Sequence, residues 1–378
     1  MRFLIFIFFI NFYFSDSQNR CGSEDYRNIL IEKGLFVNQK NVSQNIVRSG
    51  QYSIPVVFHI IYNNESENIS DEQIISQLDV LNSDYNAEND DFINVPDTFI
   101  NVASSSGIRF CLAQSDPSGN VSSGITRTYT DLEFFSMSED KMKISSEGGV
   151  DPWDTEKYLN IWVCDLSGNL LGFATYPGTN PLLDGVVIDY QYLGVLPNSP
   201  SPYNLGRTAT HEIGHYFGLE HTFYAGCSDW DNCDDTPSIT SSTFGCPEFP
   251  QESCGSIDMT MNFMDYTNDA CMYMFTQCQS DIMLGTLAEQ RASLLENSFC
   301  FYNSLSSSML KEYIYPNPFY DYIFFKNSNL TKNIIVFDYL GKKVYEDKSI
   351  TSSVNLNHLI KGLYFICVNG NCQKVIKD

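Results

Sequence analysis

The most informative part of this chain is the stretch Thr210-His211-Glu212-Ile213-Gly214-His215-Tyr216-Phe217-Gly218-Leu219-Glu220-His221. His211 and His215 are four residues apart, so an α-helix places both imidazoles on one face, where they can share one Zn²⁺. Glu212 is not needed as a ligand and can take a proton from a water that the metal activates. Gly218 permits a positive φ, so the helix can end and return His221 as a third ligand. Three histidines leave a fourth position open, which is typical of a catalytic zinc.

The composition indicates a globular protein of two or three domains. The chain has 378 residues, of which 43% are hydrophobic and 18% charged. Its net charge of −24 comes from 22 basic and 46 acidic residues. This balance argues against a nucleic acid or an anionic membrane as partner, and it suits a soluble protein that also binds Ca²⁺.

The N-terminus has the pattern of an export signal. Met1-Arg2 precedes an apolar run at Phe3–Phe14 and then small residues, which predicts a signal peptide over residues 1–17. A retained membrane anchor is the alternative, and no later apolar run is long enough to span a bilayer. Twelve cysteines behind such a signal indicate disulfides in an oxidising compartment.

Hydrophobic periodicity predicts several strands and one long helix before the histidine helix. Ser70 begins this long helix, Gln73 completes a capping box, and the apolar positions recur at helical spacing. That buried face consists of Ile74, Leu78, Leu81 and Tyr85. Residues 222–262 are rich in Cys, Asp, Pro and Ser, so we expect an irregular region there. The predicted strands are Ile54–Tyr62, Ile108–Ala113, Ile125–Tyr129, Tyr158–Asp165, an edge strand Leu170–Tyr176, and Val186–Tyr190.

The remaining segments complete an α/β chain with an all-β end. We expect a polar, irregular pro-segment over 18–48, the catalytic domain over 49–300, and a linker over 301–312 that contains Ser304–Ser308. A small β-sandwich follows over 313–378, with turn signals between short alternating runs. Those runs are Asp321–Phe325, Asn333–Tyr339, Lys343–Glu346 and Gly362–Val368.

The order of motifs resembles a known protease family. His-Glu-x-x-His-x-x-Gly-x-x-His at 211–221 is similar to the metzincin signature, and Met261–Tyr266 supplies the Met-turn that follows it. Asp235-Thr236-Pro237, Gly245-Cys246-Pro247 and Asp269–Met272 resemble the pappalysin family, peptidase M43, in its bacterial ulilysin-like branch. The likeness covers about residues 50 to 290 and implies a twisted mixed sheet with a backing helix and an active-site helix, above an irregular lower subdomain.

The resemblance implies a role for each site residue. His211, His215 and His221 bind zinc, and Glu212 is the general base and then the acid that protonates the leaving amine. Met264 forms the floor beneath the metal. The phenol of Tyr266 hydrogen-bonds the oxyanion, with simple packing as the alternative. Leu170–Tyr176 forms the upper rim of the cleft and pairs with an extended peptide.

The resemblance also bears on specificity and on a second ion. Some relatives select Arg or Lys after the scissile bond through an Asp directly before the cysteine that corresponds to Cys271. Ala270 stands there, with Asp269 one residue earlier, so the sequence does not predict a basic preference. Asp231, Asp235 and Thr236 lie where relatives bind Ca²⁺, and their oxygens suit that ion. A merely solvated acidic loop is the alternative.

Several cysteine pairs are expected. The resemblance implies Cys227–Cys254 and Cys246–Cys271, which cross-link the irregular region. We further expect pairs between Cys233 and Cys278, between Cys111 and Cys164, and between Cys367 and Cys372. None of these is spaced Cys-x-x-Cys, which argues against a second zinc site.

Cys21 resembles a cysteine switch. It follows Arg20 and precedes Gly22 in the pro-segment, where its thiolate can occupy the open zinc position and exclude water. Cleavage near Arg48-Ser49 then releases it. The alternative is an ordinary disulfide, for example with Cys300.

The C-terminal pattern resembles the sorting domain of the type IX secretion system of Bacteroidetes. The matching stretches are Tyr315–Phe319, Phe337–Lys342 and Leu359–Tyr364. The resemblance implies export across an outer membrane to the medium or the cell surface. A carbohydrate-binding or adhesion module is the alternative.

Together these features predict a secreted zinc metalloendopeptidase made as a zymogen. We expect a monomer that acts on proteins or peptides, meets the type IX machinery through its C-terminal domain, and has no stable membrane span. Two other classes stay open: a zinc-containing binding or adhesion protein without turnover, and a zinc hydrolase acting on non-peptide substrates. The intact Glu212 argues against the first, and the motif order argues against the second.

Overall fold

The structure is a computed structural model with two compact units, Met1–Phe301 and Tyr302–Asp378. The predicted signal peptide, the expected cleavage point at Arg48-Ser49 and the serine-rich linker lie outside the residues that it describes. The described residues are 19–38, 42, 51–195, 200–228, 231–295, 314–315, 318–325, 332–338, 342–350, 353–368 and 371–377.

The first unit is built on a mixed sheet with helices packed on it, as predicted. Its described strands are β1 (Tyr52–Tyr62), β2 (Ala103–Ser104), β3 (Ile108–Leu112), β4 (Ile125–Tyr129), β5 (Leu159–Cys164), β6 (Gly172–Ala174), β7 (Val186–Asp189), β8 (Glu252–Ser253), β9 (Ser256–Ile257) and β10 (Phe275–Thr276). Its described helices longer than one or two turns are α1 (Ser23–Glu32), α2 (Asp71–Asp84), α3 (Arg207–Tyr216) and α4 (Gln277–Glu289).

The main sheet has the order β3-β1-β5-β7-β6. β4 pairs with the second half of β1, and β3 pairs with its first half. All pairings are parallel except that of β6, which runs antiparallel to β7 and forms the edge of the sheet. The near-continuous burial of β1, β5 and β7 is typical of strands covered on both faces.

Helices α2, α3 and α4 cover one face of this sheet. Ser70 caps α2 by accepting the backbone N–H of Gln73. The second half of the predicted capping box does not form, because the Gln73 side chain donates to the Leu193 carbonyl instead. The core between the helices and the sheet includes Ile74, Ile213 and Met283.

Two helices were not predicted from the sequence. The pro-segment was expected to be irregular, but it contains the ten-residue helix α1, whose buried side Tyr26 and Leu30 provide. Helix α4 begins with a capping box formed by Thr276 and Gln279. This helix is buried around most of its circumference, so its apolar residues are not confined to one face. Its sequence therefore shows no amphipathic stripe.

The second unit is all-β, which confirms the predicted class. Its described strands are β11 (Ile314–Tyr315), β12 (Tyr322–Phe325), β13 (Lys332–Asp338), β14 (Lys343–Ile350), β15 (Ser353–Asn355), β16 (Gly362–Val368) and β17 (Asn371–Lys377). One sheet has the order β11-β12-β15 and the other β14-β13-β16-β17, and the core between their apolar faces includes Phe319, Ile334 and Ile366. Strands β11, β15 and β17 were not predicted from the sequence.

Within the described ranges, no helix is long and apolar enough to cross a membrane.

Candidate active site

Helix α3 and the turn after it bring the three predicted histidines together. Gly218, just past the helix end, has a φ of +90°, which a residue with a Cβ rarely adopts. The N–H of Leu219 then bonds the carbonyl of Gly214 at 3.0 Å, as in a helix that ends by turning back on itself. The chain therefore reverses direction and delivers His221 beside His211 and His215.

The three imidazoles form a triangle of nitrogen atoms. The Nε2 atoms lie 3.1 Å apart for His211 and His215, 3.2 Å for His211 and His221, and 3.0 Å for His215 and His221. Nδ1 of His211 donates to the carbonyl of Phe263 and Nδ1 of His215 to that of Leu219, both at 2.7 Å. Because carbonyls only accept, these Nδ1 atoms carry the protons, and the Nε2 lone pairs face inward. Such a set could hold zinc through three imidazoles with a fourth position left over.

Burial keeps these histidines in the neutral form that a metal requires. It lowers the pKa of His215 to about 3 and the pKa values of His211 and His221 well below the ordinary value. The neighbouring imidazoles lower the last two further. A neutral imidazole offers its lone pair to a cation without first losing a proton.

The Met-turn packs tightly against α3. Met264 is fully buried, and its Sδ lies 2.5 Å from where a Cβ on Gly214 would stand. A glycine inside a helix costs about 1 kcal/mol relative to alanine, and here it makes room for this methionine. The N–H of Met264 donates to Oδ1 of Asn262 at 2.9 Å, and the amides of Asn262 and Gln279 bond each other. The turn is thus tied to α4 as well.

Glu212 lies buried beside the histidines. Its Oε2 accepts a hydrogen bond of 2.6 Å from the Ser23 hydroxyl, whereas its Oε1 has no hydrogen-bond partner within the described part of the chain. Burial raises the pKa of Glu212 to about 7, although the bonds from Ser23 and Cys21 oppose this rise. A buried carboxylate with one unengaged oxygen is suited to exchange a proton with a group placed next to it.

Cys21 of the pro-segment meets the histidines directly. Its sulfur and one nitrogen from each of His211, His215 and His221 all lie within 4.8 Å of one another, and all four residues are buried. The thiol lies 3.5 Å from Oε2 of Glu212, and burial followed by that carboxylate raises the pKa of Cys21. One thiol and three imidazoles make a complete tetrahedral donor set.

The pro-segment lies along the free edge of β6. The N–H of Gly22 donates to the carbonyl of Gly172 at 3.0 Å, and the N–H of Ala174 donates to the hydroxyl of Ser23 at 2.8 Å. Asn19 pairs with Leu170 in the parallel direction. The strand expected to bind an extended peptide is thus occupied by a segment of the same chain.

Arg20 is buried next to Cys21. Its Nη2 lies 3.2 Å from Oδ1 of Asp269, and its guanidinium carbon lies 4.5 Å from the centre of the Tyr203 ring. Asp269 also accepts the backbone N–H groups of Leu205 and Arg207 at the start of α3, at 2.9 and 3.2 Å. Asp269, the residue before Ala270, is therefore the carboxylate that meets Arg20.

Tyr266 lies next to the same cluster. Its ring centre lies 5.0 Å from that of His221 and 5.7 Å from that of His211. Burial, followed by Cys21 and Glu212, raises the pKa of Tyr266, which keeps its phenol protonated. A protonated phenol is a hydrogen-bond donor.

Sequence reasoning missed several residues of this site. Ser23, which bonds Glu212, belongs to no local motif, and Asp269 lies in the Asp269–Met272 stretch but was not expected to bind Arg20. Tyr176 and Glu220 bond each other behind His215. These residues come from separate elements, so only the folded chain shows that they meet.

The structure contains the two disulfides that the resemblance implies, Cys227–Cys254 and Cys246–Cys271. Cys367 is disulfide-bonded and lies opposite Cys372 in the hairpin of β16 and β17.

Two other expected pairs are absent from the described residues. Cys111 is disulfide-bonded, but Cys164 carries a free, buried thiol. β3 and β5 lie on opposite sides of β1, so their backbones are about 9 to 10 Å apart, beyond the reach of a disulfide. Cys233 and Cys278 also form no disulfide, and their sulfur atoms lie within 4.8 Å of each other and of a carboxylate oxygen of Asp235.

The candidate calcium residues lie close together in the loop after His221. The hydroxyl of Thr236 donates to Oδ1 of Asp231 at 2.6 Å. Oδ2 of Asp235 accepts the N–H of Cys278 at 2.9 Å, and none of the residues that the structure describes forms a hydrogen bond with its buried Oδ1. Burial raises the pKa of Asp231 to about 7, with a smaller contribution from the charge of Asp235.

Comparison with known families places both parts of the chain. The family model described as pregnancy-associated plasma protein-A, peptidase M43, matches residues 144–288. The model of the secretion system C-terminal sorting domain matches residues 313–378.

Individual proteins give the same result. An extracellular metalloprotease of Pyricularia oryzae is 31% identical over 295 residues, covering 73% of this chain and 91% of that protein. One from Arthroderma gypseum is 33% identical over 276 residues, covering 70% of this chain and 82% of that protein.

Two solved structures are also similar. Mature mirolysin of Tannerella forsythia, in complex with a cleaved peptide, has a TM-score of 0.63 and 46% identity, covering 65% of this chain and 96% of that one. Promirolysin of the same organism has a TM-score of 0.64 and 43% identity, covering 72% of this chain and 90% of that one. This chain therefore belongs to the pappalysin family, peptidase M43, and is a secreted or cell-surface metalloendopeptidase with a C-terminal secretion sorting domain.

Proposed function

We propose that the chain is a zinc endopeptidase made as a zymogen, with His211, His215 and His221 as metal ligands. The observation that carries this proposal is the single buried cluster that these histidines form with the sulfur of Cys21. Mass spectrometry of a peptide library treated with the processed protein tests it. Defined cleavage products are expected, and an untouched library would contradict the proposal.

The residues around the histidines have different roles in catalysis. When bound, zinc polarises the substrate carbonyl and makes water more acidic. Glu212 accepts the proton of the attacking water and passes it to the leaving amine. The phenol of Tyr266 donates to the oxyanion. Met264 packs beneath the ligand helix and keeps the imidazoles in place.

The pro-segment holds this machinery inactive. With zinc bound, the sulfur of Cys21 would be its fourth ligand beside the three histidines, and the hydroxyl of Ser23 bonds Oε2 of Glu212. The backbone from Asn19 to Ser23 fills the edge of β6, where a substrate would pair. Cleavage near Arg48-Ser49 followed by loss of this segment frees all three positions together. The similarity to promirolysin agrees with synthesis as a precursor.

Asp269 supports a preference for a basic residue after the scissile bond. It is fully buried and binds the guanidinium of Arg20 next to the residue that reaches the histidines. We propose that a substrate arginine takes the place of Arg20 once the pro-segment has left. Some relatives select a basic residue through an Asp at the position of Ala270. In this chain Asp269, one residue earlier, would make the same contact.

We predict that Asp269→Asn removes this preference. The variant keeps the shape and one acceptor oxygen but loses the charge. A hydrogen bond to a charged partner contributes about 1.5–3 kcal/mol, so kcat/KM for peptides with arginine after the bond should fall about tenfold or more. Peptides with leucine there serve as the comparison. An unchanged ratio of arginine to leucine cleavage would show that Asp269 does not select the substrate.

We also propose that Asp231, Asp235 and Thr236 bind Ca²⁺. The charge of Asp235 contributes to the raised pKa of Asp231, which indicates that the two carboxylates are neighbours, and among the described residues the buried Oδ1 of Asp235 has no hydrogen-bond partner, as expected of an atom that binds a cation. A calcium-selective chelator should lower the thermal midpoint by about 5 °C while the zinc content stays constant. Asp231→Asn should make the protein insensitive to the chelator. Unchanged stability and activity of the unsubstituted protein would exclude the site.

The C-terminal unit is proposed to deliver the enzyme through the type IX secretion machinery. Its match to the sorting-domain model over residues 313–378 supports this route. We propose that the enzyme acts as a monomer on protein or peptide substrates.

A further inference from the structure

The pro-segment places a second arginine on the other side of Cys21 from Arg20. Arg27, in α1, pairs through its guanidinium with Oε1 of Glu220. Its guanidinium carbon lies 4.1 Å from the centre of the Tyr176 ring and 6.0 Å from that of Tyr224. The side chains of Arg27 and Glu220 are only 15% and 14% exposed, so this ion pair is largely withdrawn from water.

The partners of Arg27 belong to the catalytic unit and not to the pro-segment. Glu220 directly precedes His221, and Tyr176 follows the edge strand β6. The phenol of Tyr176 donates to Oε2 of Glu220 at 3.0 Å, and its oxygen lies 2.9 Å from Nδ1 of His215. The carboxylate is therefore held in a fixed orientation by a residue that stays when the pro-segment leaves.

Loss of α1 removes the cation from this site. A carboxylate held beside the face of a tyrosine ring then lacks its positive partner. A guanidinium satisfies both groups, because it donates to the carboxylate and stacks on the ring.

We propose that Glu220, Tyr176 and Tyr224 form a second cation subsite, which takes an arginine or lysine side chain located before the scissile bond. The proposal rests on the peptidase function proposed above. Arg20 precedes Cys21 and pairs with Asp269, which bonds the backbone at the start of α3, whereas Arg27 follows Cys21 and pairs with Glu220, which lies beyond the end of α3. A peptide whose basic residue after the bond reaches Asp269 therefore extends its preceding residues towards Glu220.

The spacing indicates which residue of the substrate reaches this subsite. Most of the chain from Cys21 to Arg27 is helical, and at 1.5 Å per residue it covers about 9 Å. An extended peptide covers that distance in about three residues at 3.3 Å each. The subsite is thus assigned to the second or third residue before the bond, with arginine preferred over lysine because its planar group stacks on the ring.

The test uses the processed enzyme and matched peptides. All peptides carry arginine after the bond, and they differ only by arginine or glutamine at the second and third positions before it. The wild-type enzyme should cleave the arginine peptide with a kcat/KM about tenfold higher, as expected for one charge-assisted contact. Glu220→Gln keeps an acceptor for Tyr176 and should bring that ratio close to one. The exposed Glu147→Gln serves as control and should keep the wild-type ratio.

A second measurement needs no variant. Because the contact is between charges, the arginine-to-glutamine ratio of the wild-type enzyme should fall as the salt concentration rises. A wild-type ratio near one, or a Glu220→Gln enzyme that keeps the full ratio, overturns the subsite and leaves the peptidase function standing. Failure of the wild-type enzyme to cleave any of the peptides or a denatured protein overturns the peptidase function, and the subsite with it.

Discussion

Replacing Glu212 with glutamine should lower the kcat of the processed enzyme by a factor of about 10² to 10⁴, the usual contribution of a general acid–base residue. Glutamine fits the same buried space, but it cannot accept the proton of the attacking water. The three imidazoles do not depend on this carboxylate, so the zinc content should stay at that of the wild-type protein. Steady-state cleavage of a fluorogenic peptide and metal analysis of the same sample measure both quantities.

A matched control separates this effect from a general loss of acidic charge. Glu156 is exposed and lies far from the histidines in sequence, so Glu156→Gln should cleave the peptide at the wild-type rate. If Glu212→Gln kept more than about a tenth of the wild-type kcat with its metal bound, Glu212 would not be the base.

Replacing Cys21 with alanine should activate the unprocessed chain. The variant loses the sulfur that meets the three histidines but keeps the contacts of Arg20, Ser23 and Arg27, so the pro-segment still binds, more weakly. Each 1.4 kcal/mol of lost binding raises the open fraction about tenfold, so we expect the activity before processing to rise about tenfold or more. Peptide cleavage by freshly purified precursor, checked for intact mass, measures this fraction.

Cys164 provides the control for this prediction. It is also a free, buried thiol, but it lies in β5 within the core. Cys164→Ala should therefore remain as latent as the wild-type precursor. If the unprocessed Cys21→Ala protein is no more active than the wild-type and Cys164→Ala precursors, the thiol of Cys21 does not maintain latency.

Much of the catalytic site could be predicted from the sequence, because most of the residues of the site lie in one local motif. His211, Glu212 and His215 share a single helix, and the requirement for a positive φ at Gly218 indicates how His221 returns. The buried strands β1 and β5 were readable because parallel strands covered on both faces give continuous apolar runs.

The contacts that maintain latency could not be read in the same way. Ser23 meets Glu212 across 189 positions of sequence, and Arg20 meets Asp269 across 249. Such contacts depend on the docking of residues 19–23 along β6. The apolar positions Tyr26, Ile29 and Leu30 recur at helical spacing, a short signal for α1 that sequence reading overlooked. The capping box at Thr276 and Gln279 was a usable signal for α4 that sequence reading overlooked.

The expected cysteine pairs show the same limit. Cys111 and Cys164 both lie in predicted strands, but the pairing order decides whether they can meet. β1 lies between their two strands, and the order of parallel strands is set by crossover connections rather than by the strand sequences themselves.

X-ray absorption at the zinc edge of the purified precursor tests the central claim most directly. If Cys21 occupies the fourth position, the spectrum should contain one sulfur at about 2.3 Å and three nitrogens at about 2.0–2.1 Å. After processing, the sulfur should be replaced by a light atom while the three nitrogens remain. A precursor whose zinc has no sulfur neighbour, or a processed enzyme that retains one, would contradict the account.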